Sequence, residues 1–282
     1  MFRKVKALLT LTRPPNGILM FIAVLAGVTL SNRQTMTPMQ MILSFITAYG
    51  LNGSIMGFND YFDRDIDRVN APWRPIPSGA ISCFEAIFFS AILGSIGIIS
   101  ATLTSTSCLI VAVIAYLLAF TYNMFLKQLG LIGNMAVSGV VVAPFIYGAV
   151  LSDGYVSTRL TFFAIPVYLS VLGREIIKGI SDVEGDALKG IRSIARTKGK
   201  RFAGMLGGAL YIAAVSVSPF PYILDLVSWP YIVIVLLADI GFIYSAISIV
   251  KNPSRAEALK VKKMSLLWML IALIAFIMGS IT

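Results

Sequence analysis

Nine apolar runs, each about as long as a bilayer is thick, follow one another along the chain and leave little sequence for anything else. They cover Pro14 to Ser31, Met39 to Phe58, Ile81 to Thr104, Thr106 to Phe125 and Gly130 to Leu151. Four more follow at Leu160 to Ile180, Phe202 to Ser218, Trp229 to Val250 and Met264 to Ile281. Hydrocarbon offers the backbone no water to bond to, so such runs fold as helices. The expected class is all-α: a polytopic membrane protein with nine transmembrane helices, residues 1–282 forming a single integral membrane domain. Composition agrees, since 57% of residues are hydrophobic and only 13% are charged, well below the share usual in soluble domains. In the sixth run Arg174, Glu175 and Lys178 interrupt the apolar stretch, which predicts a helix that leaves the lipid and continues into an aqueous cavity or interface. The first run has no small-residue cleavage site behind it and opens into further spans, so it reads as a helix and not as a signal peptide.

The basic residues orient these spans. With a cytoplasmic N-terminus, all 23 Lys and Arg except Arg33 and Arg159 fall on the cytoplasmic side or at that end of a helix. An odd number of spans then places Thr282 outside. The cytoplasmic connections run from Asn59 to Ala80, through the short turn near Lys127, from Ser181 to Arg201 and from Lys251 to Lys263. Topology and contact with membrane lipids thus account for the net charge of +10, and no nucleic-acid partner is expected. Histidine is absent and cysteine occurs twice, which excludes zinc sites, haem ligation by histidine and histidine general bases. Cys83 and Cys108 fall near opposite membrane faces in this arrangement and are expected as two unlinked thiols.

Chemistry must come from elsewhere, and the 13 acidic residues are unevenly spread. Asp60, Asp63, Asp65 and Asp67 follow the second span; Glu175, Asp182, Glu184 and Asp186 follow or close the sixth. On a helix, Asn59, Asp63 and Asp67 recur at i, i+4 and i+8, and Asp182 and Asp186 at i and i+4, so each set shares one face. Like charges at that spacing repel and imply a counter-ion. Hard oxygen donors without histidine or cysteine suit Mg²⁺, which binds one or two carboxylates and keeps water and phosphate oxygens in its shell. The plainer alternative is that these acids are solvated helix ends, or pair with Arg64, Arg68, Lys178 and Lys189. An EF-hand is excluded: counting from Asp63, Arg68 stands where the loop needs glycine and Arg74 where it needs glutamate.

The segment NDYFDRDIDRVNAPWRPIPSG, from Asn59 to Gly79, resembles the first aspartate-rich motif of UbiA-type intramembrane prenyltransferases. REIIKGISDVEGD, with Asp182 and Asp186, resembles the second. The likeness extends over nearly the whole chain and implies nine transmembrane helices around a central cavity. It also implies that Asn59, Asp63, Asp67, Asp182 and Asp186 hold two Mg²⁺ ions that grip a donor diphosphate. RPIPSG and the wording around the second motif resemble the archaeal branch that makes an ether-lipid precursor. Transfer of a geranylgeranyl group from geranylgeranyl diphosphate to geranylgeranylglyceryl phosphate is the activity this implies. Within the family, the alternative acceptor is an aromatic quinone precursor.

Other residues are candidates on the same terms. Lys127 and Asn134, in TYNMFLKQLGLIGN, resemble family positions near the substrate, with Tyr122 about one helical turn from Lys127. Asp60 lies off the acidic row and would orient the groups around the metal, or else pair with an arginine. Arg13, Arg74, Lys189 and Arg192 supply cations for phosphate. Arg13 and Lys127 equally fit plain topology determinants. Gly94, Gly97, Gly204, Gly207 and Gly208 are expected to let helices pack closely. From another functional class, a cation transporter would place acids at mid-membrane depth, whereas these stand at helix ends. A CDP-alcohol phosphotransferase would open its motif with DGxxAR, which is missing.

Overall fold

The computed structural model describes residues 2–33, 35–188 and 190–281, and among them every regular element is a helix. In chain order these are α1 (Phe2–Thr12), α2 (Pro14–Thr29), α3 (Pro38–Phe62), α4 (Arg64–Asn70), α5 (Cys83–Thr104), α6 (Thr106–Met124) and α7 (Leu131–Asp153). There follow α8 (Thr158–Ser181), α9 (Val183–Leu188), α10 (Ile194–Thr197), α11 (Lys200–Val217), α12 (Phe220–Ile223), α13 (Trp229–Lys251) and α14 (Arg255–Ile281). Nine stretches of the described residues are long and apolar enough to cross a membrane, and they match the nine runs read from sequence. Many large apolar side chains face outward, Leu19, Phe84, Leu103, Ile114 and Ile240 among them. A soluble protein would not leave such a surface bare; this is the anatomy of a multi-pass membrane protein.

Polar residues set where helices begin. Thr37 accepts from the Gln40 amide while Gln40 reaches back to the Thr37 amide, and Pro38 occupies the first helical position of α3. Ser82 and Glu85 repeat this reciprocal cap on α5, and Ser157 caps α8. The largest departure from the sequence boundaries is at α14, which starts at Arg255 and not Met264. Glu257, Lys260, Lys262 and Lys263 end an apolar run without ending a helix, because all are good helix formers. The first apolar run likewise gains a preceding amphipathic helix, α1, which breaks at Arg13. A helix usually ends at or before the residue preceding a proline, and Arg13, before Pro14, leaves it with a positive φ of 48° in place of the extended backbone usual there.

The chain divides into two compact units. One comprises 1–28, 33–124 and 143–155. Its core brings Val24 and Val28 of α2 together with Ala101, Cys108, Ala112, Tyr147 and Val150, while Leu11 of α1 packs with Ile81 and Ala86. Here α2 and α7 approach backbone to backbone: a β-carbon on Gly148 would overlap the Val24 carbonyl, and one on Gly27 the Phe145 carbonyl. The other unit comprises 29–32, 125–142 and 156–282. Its core is an aliphatic cluster of Ile176, Ile177, Ile180, Ile249 and Val261 with Tyr211 and Phe242. Gly207 lets Ile177 lie against α11, the packing role expected of the glycines. Cys83 and Cys108 are both free thiols.

Candidate active site

The first acidic motif straddles a break between two helices. α3 ends at Phe62, Asp63 turns with φ −91° and ψ 1°, and α4 resumes at Arg64. The row is therefore split between two helices, yet its helical register survives. The Asp63 amide donates to the Asn59 carbonyl at 2.9 Å, Asp67 to Asp63 at 2.8 Å and Ala71 to Asp67 at 2.9 Å, so the four-residue ladder runs through the break. Asn59 Nδ2 donates to Asp63 Oδ2 at 3.2 Å and to Asn123 Oδ1 at 2.9 Å. Asn123, one residue beyond Tyr122, escaped the sequence reading. Its only signal was a buried amide in the last turn of an otherwise apolar helix.

Charge at this motif is balanced from a distance. Asp60 is 2% exposed and Asp67 6%. Arg13 Nη2 donates to Asp60 Oδ1 at 2.6 Å and lies 3.5 Å from Asn59 Oδ1. Arg74 donates to Asp67 and lies 3.5 Å from Asp60 Oδ1. Thus Asp60 pairs with arginines, as its simpler alternative held, and the pairing acids and bases differ from those expected. Arg64 and Arg68 instead attend the exposed Asp65, at 3.8 and 3.2 Å. The positive φ at Arg13 costs of order 1 kcal/mol for a residue with a β-carbon. The guanidinium contacts to Asp60, Asn59 and Met56 hold the side chain that this backbone aims.

The second motif repeats the backbone device. α8 ends at Ser181, Asp182 turns with φ −105° and ψ 6°, and α9 follows; the Asp186 amide donates to the Asp182 carbonyl at 2.8 Å. Its charge setting is different. Ser181 Oγ donates to Asp182 Oδ1 at 2.8 Å. Glu175, 7% exposed, takes Arg174 at 2.9 Å and also Lys178, so the charges that interrupt the sixth run are answered within the helix. Glu184 is exposed and faces Arg255 at 3.9 Å. The acids of this cluster therefore divide into a buried ion pair, an exposed one and the Asp182–Asp186 pair.

The remaining candidates fall into place unevenly. Lys127 stands on a separate 3-10 turn, Leu126–Leu129, because α6 ends at Met124; helical spacing from Tyr122 does not apply. That turn is fastened to the segment after α9. The Arg192 amide donates to the Gln128 carbonyl at 3.0 Å, and Gly130, at φ 61°, has no room for a β-carbon against the Arg192 carbonyl. Asn134, in the first turn of α7, donates its amide to Gly130 at 3.0 Å. Lys189 lies outside the described residues, as does Thr282. One acid within a span was missed: Asp239 of α13 is buried, accepts from Ser218 Oγ at 2.6 Å and lines an apolar pocket with Phe163, Phe242 and Phe276.

Among the described residues, no three acids, cysteines or histidines gather closely enough to hold a metal by themselves. That suits Mg²⁺, which seldom occupies an all-protein cage and draws the rest of its shell from water and substrate phosphate. Asp63 and Asp67 with the Asn59 amide, and Asp182 with Asp186, offer only oxygen donors, two carboxylates in each set. The residues present fit the ion on the condition that phosphate completes its shell.

Known proteins share this arrangement. The chain matches the UbiA prenyltransferase family over residues 20–275. It is 35% identical to the digeranylgeranylglyceryl phosphate synthase of Archaeoglobus fulgidus, covering 99% of this chain and 96% of that one. It is 36% identical to the synthase of the same name from Methanosphaera stadtmanae, covering 95% and 97%. A solved structure described as digeranylgeranylglyceryl phosphate synthase in membranes superposes with a TM-score of 0.88 at 34% identity, over 99% of both chains. A UbiA homolog from Archaeoglobus fulgidus bound to DMAPP and Mg²⁺ shares the fold, with a TM-score of 0.74 at 16% identity over 95% of this chain and 98% of that one. With a family match across most of its length, and full-length relatives above 30% identity, the chain belongs to the UbiA prenyltransferase family.

Proposed function

We propose that this protein transfers a geranylgeranyl group from geranylgeranyl diphosphate to the hydroxyl of geranylgeranylglyceryl phosphate, releasing diphosphate and forming the second ether bond of an archaeal membrane lipid. The observation that carries this reading is the near-complete relationship to synthases named for that product. Residues 1–282 work as a single membrane domain, with the N-terminus and both motifs on the cytoplasmic side, as the basic residues indicate.

The chemistry asks for a site that stabilises a leaving diphosphate. The allylic C–O bond breaks with its electron pair leaving on the diphosphate, the carbon is taken by the acceptor hydroxyl oxygen, and that hydroxyl passes its proton to the released diphosphate or to water. Bound Mg²⁺ supplies positive charge to the departing diphosphate. Asn59, Asp63, Asp67, Asp182 and Asp186 would hold it. Each motif presents its acids on successive turns, fixed by the ladder that crosses the helix break. Arg13 and Arg74 bring permanent cations to the first motif, and an arginine fork matches phosphate oxygens. Lys127, on its fastened turn, acts as a cation toward the reacting phosphates, and Tyr122, Asn134, Lys189 and Arg192 contact substrate.

Purified protein given geranylgeranyl diphosphate with either geranylgeranylglyceryl phosphate or hydroxybenzoate decides the acceptor by product mass. Product from the glyceryl acceptor alone is expected. Product from hydroxybenzoate alone would transfer the assignment to aromatic acceptors, and no diphosphate release with either would reopen the transporter reading. Orientation has its own test: in a variant lacking Cys83 and Cys108, a cysteine at Asp65 or Lys198 should react with an impermeant thiol reagent only in opened cells. Labelling in intact cells would overturn it.

A further inference from the structure

Four of the charges at the first motif, those of Asp60, Asp67, Arg13 and Arg74, sum to zero, but they are not interchangeable. Asp60 and Asp67 stand against Arg13 and Arg74. Asp67 belongs to the Asn59, Asp63, Asp67 row. Asp60 lies one residue from Asn59, about 100° around the helix from it, and its Oδ1 faces both arginines. Arg74 bridges the two acids, donating to Asp67 and lying 3.5 Å from Asp60.

This geometry sets up a competition. A divalent ion on Asp67 and the Arg74 guanidinium would seek the same carboxylate, and two cations do not share it closely without repulsion. If Asp67 were the sole acid near Arg74, a metal arriving there would leave the arginine with no anchor. Asp60 prevents that. Being buried and already paired with Arg13, it offers Arg74 a second carboxylate within a small rotation of the side chain. A guanidinium carries five N–H groups, so one seated on Asp60 keeps others for an incoming anion.

We infer that Asp60 is a positioning residue: it retains Arg13 and Arg74 beside the motif while Arg74 gives up Asp67 to the metal and turns its released donors to the diphosphate. The inference rests on the metal and diphosphate reading of the site. It makes binding of the two ligands cooperative through Arg74, since each removes an obstacle to the other, and such coupling is reciprocal.

Metal binding without any substrate tests it. Mn²⁺ serves as the probe, titrated into full-length protein in detergent and read by electron paramagnetic resonance. Arg74→Gln removes the competitor and should tighten Mn²⁺ about tenfold, a coupling of ordinary size. Asp60→Asn takes away the second carboxylate of Arg74, keeps that arginine on Asp67 and should weaken Mn²⁺ by a similar factor. Combining them should leave Mn²⁺ as tight as in Arg74→Gln alone, because the Asp60 effect runs through Arg74, whereas a merely structural role for Asp60 predicts that the gain and the loss simply add. In calorimetry at saturating Mg²⁺, inorganic pyrophosphate should bind about tenfold more weakly to Arg74→Gln. In turnover, Asp60→Asn should raise the donor KM more than it lowers kcat, and Asp60→Glu should recover part of the loss.

Arg74→Gln keeps the Arg13–Asp60 pair, so it stays informative if Asp60→Asn fails to fold. Unchanged Mn²⁺ affinity in Arg74→Gln overturns the inference alone, as does a Mn²⁺ defect in Asp60→Asn that Arg74→Gln does not relieve. Wild-type protein that binds neither Mn²⁺ nor pyrophosphate overturns the metal reading and this inference together.

Discussion

The two aspartate motifs use one backbone device in two electrostatic settings. Each closes a long helix on an aspartate, Asp63 or Asp182, with ψ near zero, and carries the hydrogen-bond ladder across to an aspartate four residues on. At the first motif, buried acids are balanced by Arg13, 47 residues from Asp60, and by Arg74, seven residues beyond Asp67. At the second, Asp182 takes a hydroxyl from its neighbour Ser181, while Arg174 and Lys178 attend Glu175 on the preceding turns. The backbone of each acidic motif is thus a local property, whereas its charge balance is partly tertiary at the first motif and local at the second.

The harshest way to break this comparison is to remove what the motifs are proposed to share. Chelation with EDTA should abolish turnover and added Mg²⁺ should restore it. Asp67→Asn and Asp182→Asn keep side-chain shape and lose charge, and each should lower kcat by about a hundredfold or more, the scale of an electrostatic group acting at the transition state. Turnover that survives thorough chelation removes the metal mechanism. If Asp182→Asn alone retains the wild-type rate, the motifs are alike in backbone but not in function.

Arginine removal probes the setting in which they differ. Arg13→Ala takes the nearer partner from a buried carboxylate; discounted for an arginine about one-third exposed, the loss should be about 2 kcal/mol, read as a lower melting temperature in detergent. Arg13→Gly should be more stable than Arg13→Ala by about 1 kcal/mol, because glycine has no β-carbon to strain at φ 48°. Equal stability would show that the backbone there is relaxed. Functionally, Arg13→Ala should raise the KM of the phosphorylated glyceryl acceptor more than that of its dephosphorylated form. Equal effects on both acceptors would place this arginine away from the acceptor phosphate.

The same division marks what the sequence discloses. Nine apolar runs suffice for nine spans, because lipid exposure imposes hydrophobicity on every turn. The four-residue acid spacing suffices for the ladder, even though neither motif is one helix. The partners do not show. Nothing local links Arg13 to Asp60, 47 residues away, or distinguishes Arg74 from Arg64 and Arg68, which are nearer to the acids and pair with exposed Asp65. Tyr122 and Lys127 seemed one helical turn apart because the apolar run extends to Phe125, whereas α6 ends one residue sooner. Asn123 and Asp239 carry no motif at all. Their significance lies in burial and in a bond to a residue far along the chain or on another helix.

The smallest effect is expected where the second motif has its own substitute for the arginines. Ser181 Oγ lies 2.7 Å from the Lys178 carbonyl and 2.8 Å from Asp182 Oδ1. A hydroxyl has one proton, so it donates to one of these at a time, and bonding to the carboxylate competes with bonding back to the helix. Ser181→Ala should therefore cost only about 1 kcal/mol in stability, the net worth of a typical hydrogen bond. Its effect on chemistry should be a rise of a few-fold in the Mg²⁺ concentration giving half-maximal rate, with kcat nearly intact, since the carboxylate keeps its charge and loses only one contact that orients it. Ser181→Thr keeps the hydroxyl and should behave like the wild type if the added methyl is accommodated. A loss in Ser181→Ala as large as that of Asp182→Asn would mean that the hydroxyl, and not the carboxylate, is the group on which the second motif depends.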